Sequence, residues 1–460
     1  MTIKTETLTS EKNSAKNDVL GHPKGLVFIV FTEAWERFSF YGMQALLVLY
    51  MTSYLFQPGN AEKVIGLSGF RSIVEGVFGE LSITAFATQA FGLYIGLVYF
   101  LPVLGGIIGD RFIGRKKAVI TGGILMTIGH FLMVDETLFL FALAALILGV
   151  GFLKSNLAAQ VGALYPKSDS RRDAGFSFYA IGINVGAFAA PLVCGTLGEL
   201  YGWHLGFGAA GIGMLVALIT YIAGQKHLPP DQVRTKDNKP VKLEKGDGKI
   251  ITAILFFLAI TALYWTAQTQ IWNSYPLWVK ERVMRDAGDF MIPITWFQSL
   301  DSFAVLLFAP FILAFWKRQS ARGTEPSDLT KVGIGCMIFA LACLWLSLGE
   351  AMSDGKVSLF WPVVFHFITG STFLYLGPII LAVVSRAAPR AVNSTMLGIC
   401  YLAIFFGGIF SGWLGRFYEQ IPGEMFWLLH AGIVGTGSLL ILLLRTPLSR
   451  AMKLEKRRQG

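Results

Sequence analysis

Residues 33–42 read EAWERFSFYG inside a run, 25–52, that is otherwise almost wholly apolar. Glu33, Glu36 and Arg37 stand at i, i+3 and i+4, so a helix sets all three on one face. A charged side chain at mid-bilayer costs about 2.5–3.5 kcal/mol. With Lys154, in the equally apolar GVGFLKSNLAAQVG, these groups would together cost on the order of 10 kcal/mol if unpaired, comparable with the stability of an ordinary domain. They must face one another or water. Two acids and two bases sum to zero, which predicts a mutually neutralising cluster whose partners can be exchanged. A carboxylate entering such a site can displace a glutamate from Arg37 by forming a bidentate pair, freeing that glutamate to bind a proton. The plainer alternative is a static ion-pair network, but buried pairs are weak sources of stability. An ionisable cluster within a membrane is by default a substrate or proton site.

A fifth intramembrane acid is Asp301, in IPITWFQSLDSFAVLLFAP. No basic residue is expected near it in its own span or in any C-terminal span, which suits a group that takes and releases a proton. The alternative is an acid kept protonated by hydrogen bonds to Gln268, Gln270 or Asn273. His130 and His366 fall near the outer ends of their spans and read as packing histidines. The four cysteines lie in apolar runs with no metal-type spacing, so buried small hydrophobes are expected and no metal site.

These residues need a frame. The chain has 460 residues, 54% hydrophobic and 15% charged, with a mean hydropathy of +0.57. That is too oily for a soluble protein of this length, and a bilayer is the expected surrounding. Spanning helices need roughly 20 apolar residues. Twelve such runs are predicted, at about 25–52, 84–109, 117–134, 138–163, 175–200, 204–224, 250–279, 291–316, 331–349, 358–384, 392–417 and 424–445. Alternating the loops from a cytoplasmic N-terminus puts 30 of the 39 Lys and Arg on the cytoplasmic side and 7 opposite. This asymmetry predicts both termini inside and makes the net charge of +10 a topology signal. Basic residues scattered through short loops do not form a nucleic-acid footprint.

The polar stretch 225–249 divides the spans six and six, as when two bundles rock about a central site. The expected organisation is a tail (1–23), a six-helix bundle (24–224), a cytoplasmic linker (225–249), a second six-helix bundle (250–446) and a second tail (447–460). The tail before residue 23 has no hydrophobic run and is not a signal peptide. Between spans two and three, GGIIGDRFIGRKK places Asp110 beside Arg111 and Arg115, which predicts gating ion pairs that form in one conformation and break in another. No Walker sequence, Ser/His/Asp or Cys/His grouping, or paired-histidine site occurs. An enzyme is therefore not expected, and energy must come from an ion gradient or from the substrate's own.

Five stretches in order, EAWERFSFYG, YFLPVLGGIIGDRFIGR, GFLKSNLAAQVG, FYAIGINVGAFAAP and IPITWFQSLD, together resemble the proton-dependent oligopeptide transporter (POT/PTR) family of the major facilitator superfamily. The resemblance covers nearly all twelve spans. It implies an all-α membrane protein of two six-helix bundles, a proton-coupled symporter of di- or tripeptides working by alternating access, with the proton as coupling ion and no cofactor. Glu33, Glu36, Arg37 and Lys154 match the family's proton-coupling charges. Arg37 and Lys154 would also receive a peptide carboxylate. Tyr41 and Tyr99 match pocket tyrosines, Asn156 the fourth span's asparagine, and Asn184 lies in the FYxxINxG match. The implied partners are a peptide-like small molecule and the lipid bilayer, without nucleic acid. A monomer in a bacterial inner membrane is expected.

The departures from the family pattern bear on substrate. Phe40 replaces the motif's first tyrosine. Thr269 and Gln270 stand where Glu-Gln is usual, Phe373 aligns with the glutamate that holds a peptide's amino terminus, and Asp301 replaces an asparagine. Either Asp301 takes over the grip on an ammonium group, with Gln268 and Gln270 beside it, or the pocket carries a non-peptide amphipathic or carboxylate-bearing compound, inward or outward. A non-transporting receptor is a third reading, which long cytoplasmic extensions would favour.

Overall fold

The computed structural model describes residues 18–166, 169, 171–231 and 243–454. Most of the first expected tail, the middle of the linker and the end of the second tail lie outside them. Among the described residues fourteen α-helices follow in order: α1 (Lys24–Tyr50), α2 (Leu67–Phe78), α3 (Ile83–Ile108), α4 (Arg115–Leu132), α5 (Phe139–Ala163), α6 (Arg172–Ala190), α7 (Trp203–Gly224), α8 (Asp247–Gln268), α9 (Ser274–Arg282), α10 (Trp296–Ala321), α11 (Asp328–Ala351), α12 (Phe360–Ala387), α13 (Asn393–Gly415) and α14 (Gly423–Ala451). Twelve are long, as the hydropathy predicts; α2 and α9 are short. Ten are long and apolar enough to cross a membrane by length and composition. The other two, α1 and α4, fall short because of the charges they carry: Glu33, Glu36 and Arg37 in α1, and Arg115, Lys116 and Lys117 in α4.

The chain is an all-α membrane protein of two six-helix bundles. α1 packs on α6 and α7, and α5 on α3 and α4; in the second half α11 packs on α12 and α14, and α10 on α12. The seam between halves runs along α3 against α13 and α6 against α10. Two boundaries differ from expectation. The run at 250–279 is broken: Asn273 has φ −109° and ψ −93°, outside the helical region, and separates the tight turn after α8 from α9. The run at 291–316 starts later, at Trp296, because Phe290–Met291 pairs with Asp286–Ala287 in a small hairpin.

The halves are latched at the end away from the linker. Glu199 accepts hydrogen bonds from the Ile294 and Thr295 backbone N–H groups at 2.8 and 2.9 Å and from the Thr295 hydroxyl at 2.7 Å. The Trp296 indole donates to Thr196 at 2.8 Å. Asn273 donates to the Thr88 carbonyl at 3.2 Å, Arg416 to the Phe78 carbonyl at 3.0 Å, and Ser82 to Glu419 at 2.6 Å. Glycines allow this closeness. A Cβ on Gly92 of α3 would lie 2.9 Å from the Gly412 Cα of α13, a separation that real side chains do not tolerate.

Hydrogen bonds to a charged group contribute about 1.5–3 kcal/mol each, so Glu199 is the strongest single fastening of this latch. Glu199→Ala is expected to open it. Spin labels at the exposed positions Ile65 and Met284, one in each half, should then show a longer mean separation, and an unchanged distance distribution would contradict the assignment.

Candidate functional site

The charged face of α1 meets α6 across glycines. Gly186 lies so close that an added Cβ would come 3.0 Å from the Arg37 Cβ, and one on Gly182 would come 3.0 Å from the Val30 carbonyl oxygen. Tyr179 lies three residues before Gly182 on this same face of α6. Its hydroxyl consequently reaches Glu33 and donates to Oε2 at 2.7 Å. Tyr179 was not singled out from the sequence as a site residue, although its position within FYAIGINVG, one turn before a glycine, carried the signal.

Arg37 serves both acids. Its Nη2 donates to Glu36 Oε1 at 2.7 Å, its Nε bonds Glu36 Oε2, and the same Nε lies 3.2 Å from Glu33 Oε1. Glu33, Glu36 and Arg37 are 2%, 0% and 2% exposed, so one buried cation is shared by two buried carboxylates, and these three groups alone leave one negative charge over. The guanidinium carbon lies 5.0 Å from the centre of the Phe40 ring and 6.0 Å from that of Tyr41. Phe40, the departure from the motif, thus still offers an aromatic face to the cation. Tyr41 also packs on Trp272, ring centres 5.2 Å apart, joining α1 to the turn after α8.

Lys154 differs from expectation. It lies within electrostatic reach of Glu33, Glu36 and Arg37, but among the described residues no acid is within ion-pairing distance of it. Its ammonium instead sits 4.0 Å over the Tyr99 ring. Tyr99 in turn stacks on Tyr401 of α13 at 6.4 Å, so the lysine is connected through aromatic rings to the opposite half. The cluster is neutral when all four groups are charged, but the neutralisation is uneven: Arg37 is shared and Lys154 is available.

The remaining predicted residues separate into those near these charges and those elsewhere. Asn156 is buried at the contact of α5 with α3, where its amide donates to the Gly105 carbonyl at 3.0 Å and the Phe152 carbonyl at 2.8 Å; it positions helices. Asn184 donates to the Ala180 carbonyl of its own helix at 2.9 Å. Gln268 is half-buried at the end of α8. Gln270 donates to the Ser411 carbonyl and contacts His430, each at 3.0 Å. Phe373 is 37% exposed on α12. In the loop between α3 and α4, Arg115 donates to Asp110 at 2.8 Å, and Arg111 is exposed.

Asp301 requires a correction. It does have a base beside it: Nδ1 of His366, from α12, is 3.8 Å from its Oδ1. Nor is it held by Gln268, Gln270 or Asn273; the Thr369 hydroxyl donates to it at 2.8 Å. His366 and Thr369 are one turn apart on α12, a spacing that places both toward α10. From sequence alone His366 looks like a packing residue, because the rotation of α12 against α10 is not written in either helix.

Three comparisons bear on identity. A protein-family model described as the POT family matches residues 116–243 and 234–428. The Peptide transporter YePEPT of Yersinia enterocolitica is 28% identical, the match covering 96% of this chain and 98% of that protein. An uncharacterized transporter of Bacillus subtilis, YclF, is 29% identical over 96% of this chain and 97% of its own. A crystal structure of the peptide transporter POT in complex with sulfate superposes with a TM-score of 0.82 at 26% identity, covering 96% of this chain and 99% of that one. The same transporter in a mutant form with alafosfalin gives 0.80 at 27%, covering 95% and 97%.

Proposed function

Since the chain belongs to the POT family, and is therefore a membrane transporter and not an enzyme, we propose that it moves di- or tripeptides or peptide-like compounds together with protons by alternating access. The observation that carries this reading is the uneven charge cluster. Lys154 is a half-buried cation with no acid within ion-pairing distance among the described residues, resting on Tyr99 4.0 Å away. A cation–π contact of this kind is worth about 0.5–2 kcal/mol, less than a charge-assisted pair with a substrate carboxylate can supply. An entering carboxylate therefore competes well for Lys154, and through it for Arg37.

Arg37 then leaves one of its two glutamates, and the freed carboxylate binds a proton. Glu33 has the Tyr179 hydroxyl as a second support, whereas Glu36 takes its side-chain hydrogen bonds among the described residues from Arg37. Glu36 is accordingly assigned as the proton carrier. The latch at one end supports an inward-facing arrangement, with the basic loops placing the linker on the cytoplasmic side. Release of the latch and closure at the Asp110–Arg115 end would complete the cycle. A bacterial inner membrane is the setting this topology fits.

The peptide assignment draws on the relatives: the Yersinia protein is a peptide transporter and the crystallised one binds alafosfalin. A second reading is favoured by one observation, that Thr269 and Phe373 offer no charge in the second half. On it the substrate is a non-peptide carboxylate. Counterflow in proteoliposomes separates the two. Unlabelled dipeptides are expected to exchange for labelled dipeptide by at least several fold over an empty-vesicle control. Exchange with organic acids but with no dipeptide in a panel would favour the second reading.

A further inference from the structure

We propose that Asp301 and His366 form a second proton-carrying pair, in the second bundle and separate from the α1 charges, reached by water at Asp301 and positioned by Thr369. This goes beyond the reading above, which needs only Glu36 to carry the coupling proton.

Four observations carry it. The His366 ring is 0% exposed, and neither ring nitrogen has a hydrogen-bond partner among the described residues. A buried imidazole with both nitrogens unsatisfied is costly unless something uses them. One nitrogen, Nδ1, lies 3.8 Å from Asp301 Oδ1, a gap that a small side-chain rotation or one water closes. The Asp301 side chain is 18% exposed, so the pair joins a sealed ring to a partly exposed carboxylate side chain. Thr369 donates to that same Oδ1 at 2.8 Å and also reaches the His366 carbonyl at 3.2 Å, which fixes the carboxylate relative to the ring.

The surroundings make this a one-proton device. Tyr275 of α9 meets the His366 ring edge-on at 5.0 Å, its own hydroxyl without a hydrogen-bond partner among the described residues. Tyr264 of α8 and Tyr41 of α1 are within electrostatic reach of Asp301. Glu350 of α11 is occupied by Arg282 and Trp278, and His430 of α14 by Gln270 and the Phe426 carbonyl. Among the described residues no Lys or Arg is within ion-pairing distance of Asp301. With Asp301 ionised and His366 neutral, the pair has one uncompensated negative charge in low dielectric; one proton on either partner removes it. That proton enters at the Asp301 carboxyl and is shared with Nδ1, the carboxylic acid–imidazole and carboxylate–imidazolium forms exchanging within the pair, and it leaves by the reverse path.

The position connects the pair to the latch. Asp301 follows Thr295 and Trp296 by one to two turns along α10, and those residues are held by Glu199 and Thr196. The charge state of the pair is thereby joined to the end of the helix that opens or closes.

Infrared difference spectroscopy of the full-length protein in liposomes, stepped from pH 8 to pH 5, tests the proposal without requiring transport. Wild type should show a protonated-carboxyl band that Asp301→Asn removes, His366→Gln displaces, and Glu36→Gln leaves in place. A spectrum indifferent to Asp301→Asn, or an Asp301 band unmoved in His366→Gln, overturns it. Should the aspartate variant not fold, nitrogen NMR of wild type labelled at its six histidines decides. One signal, identified by its loss in His366→Gln, must change on the same pH step, and a static one rejects the pair. Failure of the Glu36 assignment would instead appear in uptake, with these spectra unaffected.

Discussion

Arg37→Ala is expected to be the most damaging single change in the molecule, lowering stability by about 3–5 kcal/mol, the usual effect of removing one partner from a buried ion pair. Glu33 and Glu36 are 2% and 0% exposed, and both pair with this one guanidinium. Without it two carboxylates share a dry pocket, and Tyr179 can satisfy only one oxygen of one of them. Transport should vanish as well, because no cation remains to pass between glutamate and substrate. A rescue separates the two losses. Arg37→Ala combined with Glu33→Gln and Glu36→Gln should recover most of the melting temperature in detergent while remaining inactive. A single alanine variant that melts like wild type would show that water, not Arg37, neutralises these acids.

The second large effect is on energy coupling. One elementary charge crossing 100 mV carries about 2.3 kcal/mol, which corresponds to roughly a 50-fold accumulation of a neutral substrate per coupled proton. Glu36→Gln is expected to forfeit that entire factor and bring internal and external concentrations to equality. The amide can still accept a hydrogen bond from Arg37, so substrate-for-substrate exchange should persist. Accumulation ratios measured at imposed gradients, beside counterflow in the same vesicles, give both quantities. Full accumulation by the glutamine variant would remove Glu36 from the mechanism.

Much of this architecture is legible in the chain because its causes are local. Apolar runs of spanning length set the long helices, and the spacing 33, 36, 37 sets one charged face, since both depend only on helical geometry. The break at Asn273 was less visible, because Thr, Gln, Asn and Ser do not forbid a helix as proline does. What escaped were features requiring two helices to be rotated against each other. The choice of Tyr99 over a glutamate as the neighbour of Lys154 is of this kind. So is His366 beside Asp301, and so is Glu199, whose partners Ile294 and Thr295 lie in the opposite half. Asn156 shows the converse: its residue type suggested a ligand, but the Gly105 and Phe152 carbonyls use its donors.

The latch has a further property, set by where two of its bonds end. Asn273 and Arg416 both donate to main-chain oxygens of the opposite half, those of Thr88 and Phe78. A receiving oxygen of that kind is present whatever side chain its residue bears, so sequence drift on the first bundle leaves these two fastenings intact while drift on the second can erase them. Mutational tolerance across this junction should therefore be lopsided, with the constraint resting on the donors.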